Sequence, residues 1–331
     1  MRRSLPLLLV LLFTAEASLR ASCGSSSCPL DLNALNLPET RRVSLDLSLQ
    51  YVDQDQPRIG TRNARVGEIP GEHHDEVRTV NRISTLALTY AATSRLHLVA
   101  SLPFISRDHQ HLASSHEHIT SQHNNVPESW DIRGIGDLSL LARAEVVEGN
   151  RTTRSGLWLI GGVKLPTGAH EVRNVDGEAG ELPIQPGSGT IDGIAGLSWN
   201  GGVIRRSGAH GGMGDFAVVP YFLSATYQFR GSRDDYRLGN ELQLNAGGAY
   251  PLGRHLEALL QLNARVRERD SGDPEETGMT GGTYAYASPG LRWSFRGAAL
   301  YGIVQLPVYQ NVNALQLTST SNYVIGVQTR F

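Results

Sequence analysis

The chain of 331 residues carries 30 basic and 32 acidic side chains, a formal charge of −2, and 36 glycines. Without a basic excess it lacks the clustered positive charge that neutralises phosphates, which excludes a nucleic-acid partner. Beyond the N-terminus no apolar run reaches the roughly 18 residues that a spanning helix needs, so a helical membrane protein is excluded too.

The N-terminus has the order of an export signal. Arg2 and Arg3 precede an apolar stretch from Leu5 to Phe13, and Ala15-Glu16-Ala17 forms a small-x-small cleavage site. This predicts a signal peptide over residues 1–17 and a short periplasmic arm over 18–40. The arm holds both cysteines, Cys23 and Cys28. In an oxidising compartment so close a pair most simply forms a disulfide loop, a redox or metal role being the other reading. Arg20 sits where a lipoprotein signal prefers an aliphatic residue, which disfavours lipid attachment at Cys23.

From residue 41 to 331 the chain alternates. Val43, Leu45, Leu47, Leu49 and Tyr51 are apolar, and Ser44, Asp46, Ser48 and Gln50 between them are polar. A period of two puts each set on its own face of a strand. The pattern recurs over 79–90, 96–106, 136–147, 156–166, 190–200, 216–229, 240–250, 255–267, 283–295, 298–309 and 321–331. Each stretch approaches the 9–11 residues with which a tilted strand crosses the hydrocarbon core. In lipid every backbone polar group needs a protein partner, and strands achieve that only by closing into a barrel. The expected fold is therefore all-β: a transmembrane antiparallel up-and-down β-barrel of about 12 strands in the bacterial outer membrane. Connections follow the rule of such barrels, long on one side (53–78, 107–135, 167–189, 268–282) and short on the other (91–95, 251–254, 296–297), with the long side extracellular. The stretch from Gly201 to Gly214 is long where a short turn is due. Pro103, Pro166 and Pro307 fit rim or bulge positions, whereas Pro220 and Pro289 interrupt strands without an evident reason. The terminal Phe331, with Tyr323, Ile325 and Val327 on its face, resembles the signature read by the barrel-assembly machinery, a second expected partner beside outer-membrane lipid.

Three glycine-containing stretches stand out: Gly134-Ile135-Gly136-Asp137-Leu138, Gly162-Val163-Lys164-Leu165-Pro166-Thr167-Gly168, and Pro186-Gly187-Ser188-Gly189-Thr190-Ile191-Asp192. Over roughly residues 80–331 they resemble the family of outer-membrane barrels described as transporters of the meta pathway of phenol degradation. The resemblance implies a channel or transporter for a small molecule, aromatic or otherwise hydrophobic.

Two groups of residues could carry function. The polar face of the strands places Asp137, Arg143, Glu145, Lys164, Asp192, Glu241, Glu257, Arg265 and Arg292 in the lumen, beside Asp46, Gln261, Asn263 and Arg267. Their mixed signs predict no simple cation or anion preference, and pairing across the wall is the structural alternative. Histidine is concentrated in the first two long loops: His73, His74, His109, His111, His116 and His118. Imidazoles on alternate residues of extended chain share a face and suit copper or zinc. The alternative function is thus a metal-binding surface protein, and the second alternative is a structural barrel with a plugged lumen. No Gly-x-Ser-x-Gly elbow and no His-Glu-x-x-His motif is present, so the expectation is not an enzyme.

Overall fold

A computed structural model of the chain describes residue 30 and residues 42–68, 75–114, 125–150, 152–153, 155–206, 216–272 and 277–331. The expected signal peptide, Cys23 and Cys28, and His73, His74, His116 and His118 lie outside the described residues.

The strands in chain order are β1 (Val43–Gly60), β2 (Arg62–Asn63), β3 (Asp75–Thr93), β4 (Leu96–Ser114), β5 (Asn125–Ile135), β6 (Leu138–Glu148), β7 (Gly156–Leu165), β8 (Asp192–Arg206), β9 (Phe216–Phe229), β10 (Ser232–Arg233), β11 (Tyr236–Arg237), β12 (Glu241–Pro251), β13 (Leu256–Arg267), β14 (Gly282–Phe295) and β15 (Ala298–Arg330). A single antiparallel sheet runs from β1 through β3, β4, β6, β7, β8, β9, β12, β13 and β14 to β15, and β15 pairs with β1 to close it.

β15 is two passes in one element. Fully extended, 33 residues at about 3.3 Å each would run roughly 110 Å, far beyond the membrane. Instead residues 298–312 pair with β14 and residues 315–330 with β1. The two limbs face each other: the Gln310 side chain donates to the Ser319 carbonyl at 3.1 Å, and Asn322 to Gln305 at 3.3 Å. The turn between them falls at Asn313-Ala314, with Ala314 at φ +51°. β5 and β6 in turn make one pass, since both pair with β4 and are separated only by Gly136-Asp137. Counted this way the wall has twelve crossings.

The surface is inverted relative to a soluble protein. Leu47, Leu86, Leu223, Leu262 and Leu300 are 45–56% exposed. Asp192, Gln261, Gln305 and Asn322 are fully buried. Apolar side chains face out and polar ones in because lipid surrounds the wall and polar protein fills it. Tyr90, Tyr250, Trp293 and Phe295 form an aromatic belt at the short-turn end, and Phe104 and Phe229 stand toward the other end. The chain is an outer-membrane β-barrel.

The wall reaches higher than the alternation predicts. β4 continues to Ser114 and β5 starts at Asn125, so most of the stretch expected to be a loop over 107–135 is strand. Past the membrane both faces meet polar surroundings, and a strand there no longer alternates. Of the remaining connections, 61–74, 115–124, 166–191 and 268–281 fall at one end and 94–95, 252–255 and 296–297 at the other, while 149–155 and 207–215 are longer links at the short-turn end. Pro307 sits at a bulge, where the β14 ladder steps from Tyr309 directly to Pro307. Pro103 lies beside the break between β5 and β6, and Pro166 just past β7. Pro289 falls where β14–β15 pairing skips from Ala287 to Gly290, and Pro220 just beyond the last β9–β12 pair. No proline therefore has to donate to a partner strand there.

Candidate functional site

The inward face of six consecutive crossings carries one chain of alternating charge. Lys164 on β7 contacts both Asp137, at the β5–β6 break, and Asp192 on β8, the latter at 3.1 Å. Arg230, one residue past β9, pairs with Asp192 at 3.0 Å and with Glu241 on β12 at 3.7 Å. Arg265 on β13 completes the row against Glu241 at 2.8 Å. Arg267 then reaches Asp270 at 2.8 Å. Each acid and base sits where the even spacing of strands puts opposite charges side by side, so the cost of removing them from water is offset mutually.

Asp137 does more than join this row. Its carboxylate accepts from the Gly168 amide at 3.0 Å, and from the Ser188 amide and hydroxyl, both at 2.8 Å. The three glycine-containing motifs thereby meet at one carboxylate, and the long connection 166–191 is pulled inside the barrel. Close approach is why glycine stands there. A Cβ on Gly168 would lie 2.7 Å from the Gly136 carbonyl carbon, and one on Gly187 would lie 2.7 Å from Asp137 Oδ1. Thr190 and the Gly231 amide hydrogen-bond Asp192 in the same manner, each at 3.0 Å.

From this anchor the loop crosses the lumen. A short 3-10 turn, Leu182–Ile184, brings Ile184 against Trp130 and Ile132 of β5 and Leu317 of β15. Arg107 of β4 donates to the Pro183 carbonyl at 3.1 Å. At the long-loop end, Arg233 pairs with Glu171 at 2.8 Å and holds that exposed carboxyl below the usual glutamate range. Toward the short-turn end, Leu30 packs inside the barrel on Phe222, Leu259, Tyr301, Ile303 and Val324. Between Leu30 and the loop lies a cavity of about 530 Å³.

The other expected lumen residues separate into local pairs. Arg143 is buried on β6 over the Trp158 ring and hydrogen-bonds Ser198 at 3.4 Å. Glu145 lies 3.9 Å from Arg95 at the short-turn rim. Glu257 and Arg292 pair at 2.6 Å, also near that rim. They do not join the row around Asp137. Arg230, Arg107 and Asp270 went unnoticed in the sequence. Arg230 and Asp270 lie just past strand ends, where alternation carries no information, and Arg107 lies in the part of β4 read as loop.

His109 and His111 require a correction of place. They are wall residues of β4, 3% and 5% exposed, and not loop residues. His109 Nδ1 meets the Thr79 hydroxyl at 2.8 Å, His111 Nε2 meets Glu128 at 2.7 Å, and both rings pack on Trp130. Among the described residues no group of three or more potential ligands is arranged to hold a metal ion.

The sequence matches no protein-family model and no curated protein. Among solved structures the chain superposes on the COG4313 outer membrane channel from Pseudomonas putida F1 with a TM-score of 0.60 and 11% identity, covering 92% of this chain and 100% of that one. The transport unit of the autotransporter AIDA-I from Escherichia coli gives a TM-score of 0.48 at 11% identity, over 92% and 93% of the two chains. The TodX deltaS2S3 mutant monoaromatic hydrocarbon channel gives 0.41 at 11%, over 94% and 98%. The likeness at 0.60 shows a shared outer-membrane barrel fold.

Proposed function

We propose that the protein is an outer-membrane channel for a small molecule, with the long-loop end facing outward and the 166–191 loop as its gate. The observation that carries this reading is the cavity in a polar lumen, closed above by a loop that is tethered through hydrogen bonds to one carboxylate. A polar interior supplies a solute with donors and acceptors across a region where lipid offers none. A tethered loop, unlike a wall strand, can leave its place without opening the barrel. The three motifs that resemble the phenol-pathway transporters all take part in that tether, which supports an aromatic or otherwise hydrophobic cargo.

Planar-bilayer recording of the purified protein tests the reading. Stepwise conductance is expected, increased when residues 170–185 are deleted. A deletion variant that is folded yet carries no current above bare lipid would overturn the channel and leave a plugged structural barrel.

A further inference from the structure

The cavity beneath the loop is unequal in charge. Arg107, Lys164, Arg230, Arg265 and Arg267 line it. The acids that hold the last four of them include Asp192, Glu241 and Asp270, which are at most 4% exposed and do not line the cavity. Among the described residues two acids do line the space, and both are occupied: Asp137 by the loop amides and Lys164, and Asp46 by the Tyr301 hydroxyl at 2.9 Å. The buried Nε groups of Arg230 and Arg267 have no hydrogen-bond partner among the described residues. Across from Lys164, Arg230, Arg265 and Arg267 stand the uncharged Ser48, Gln50, Thr85 and Ser101, and the ends are apolar with Leu30, Leu182, Leu238 and Val324. Hidden acids thus fix the guanidinium groups in place and leave more basic than acidic side chains at the cavity surface.

We propose that this cavity is a binding station for a small amphipathic monocarboxylate. The carboxylate lies at the Arg230–Arg267 flank and the apolar body between Leu30 and Leu182. Charge-assisted bonds to guanidinium are about twice as strong as neutral ones and favour a planar carboxylate. A cavity of about 530 Å³ is within the range of small-molecule sites, roughly 300–1,000 Å³. The inference rests on the channel reading for the route by which the solute arrives, and it narrows the cargo from any hydrophobic compound to one with an acid group.

Benzoate serves as the probe, with the full-length protein in planar bilayers under a roughly tenfold gradient of potassium benzoate. The reversal potential should give a permeability ratio of benzoate to potassium of about ten, close to 1.4 kcal/mol in selectivity. Replacing both arginines, Arg230→Gln with Arg267→Gln, should bring the ratio to about one. Glu241→Gln, which uncovers base and removes no base, should move the ratio the other way. This opposite response separates a charge effect from misfolding, and heat-modifiable gel mobility checks the fold of each variant. Current that favours potassium overturns the station and leaves the channel standing. If no current flows, the channel reading fails, and equilibrium dialysis of radiolabelled benzoate against the detergent-solubilised protein decides the station. Retention that is lost in the double arginine variant supports it, and no retention overturns it.

Discussion

The two halves of the wall around the cavity solve the same problem differently. On β1, β3 and β4 the inward positions at cavity level are mostly uncharged, Ser48, Gln50, Thr85 and Ser101, with Asp46 and Arg107 the exceptions. On the crossings from β6 to β13 the same positions carry the alternating row from Asp137 to Arg265. Both halves show lipid the same leucine-rich face, so the lipid side does not account for the contrast. The difference lies in what each half holds. The charged half fixes the loop by Asp137, while the neutral side touches it through one Arg107 bond. A plug that is bolted on one side and laid against the other has a built-in direction of release.

The sharpest way to break the contrast is Asp137→Ala. It removes one of the two carboxylates that hold Lys164 and strands three loop donors, and loss of one partner from a buried charged network costs about 3–5 kcal/mol. Guanidinium unfolding in detergent should show that loss, and bilayer conductance should rise as the loop comes free. Ser101→Ala on the neutral half is the control, with a change within about 0.5 kcal/mol. Equal effects at the two positions would erase the distinction. Gly187→Ala tests the tether without touching charge. Its new methyl carbon would meet Asp137 Oδ1 at 2.7 Å, which should cost about 1–3 kcal/mol and raise protease cleavage within 170–185. The smallest effect is a gain away from the tether. Ala314 holds a left-handed conformation at φ +51°, so Ala314→Gly should stabilise by about 1 kcal/mol in thermal melts, with conductance unchanged.

Much of the wall was legible because a strand between lipid and a polar interior must alternate. That one constraint located the crossings and put Asp137, Lys164, Asp192, Glu241 and Arg265 on the inner face. It fails where the constraint lapses. Above the membrane β4 carries Arg107, His109 and His111 inward and Ser106, Asp108 and Gln110 outward, all polar, so the strand reads as loop. The path of the 166–191 segment was hidden for a different reason. Its position depends on bonds to Asp137, some thirty to fifty residues earlier, and periodicity reports only local geometry. The glycines at 168 and 187 did mark close contact. Their partner became evident only in three dimensions.

Lys164 is the only lysine in the sequence, and its side chain is 12% exposed beneath the loop, between two carboxylates. The ε-amine most open to acylating reagents in ordinary proteins is thus sheltered here, and any chemistry at this nitrogen must wait for the cover to lift. The protein carries its own reporter of gate opening, readable by the rate at which acylation adds mass at Lys164 and requiring no engineered label.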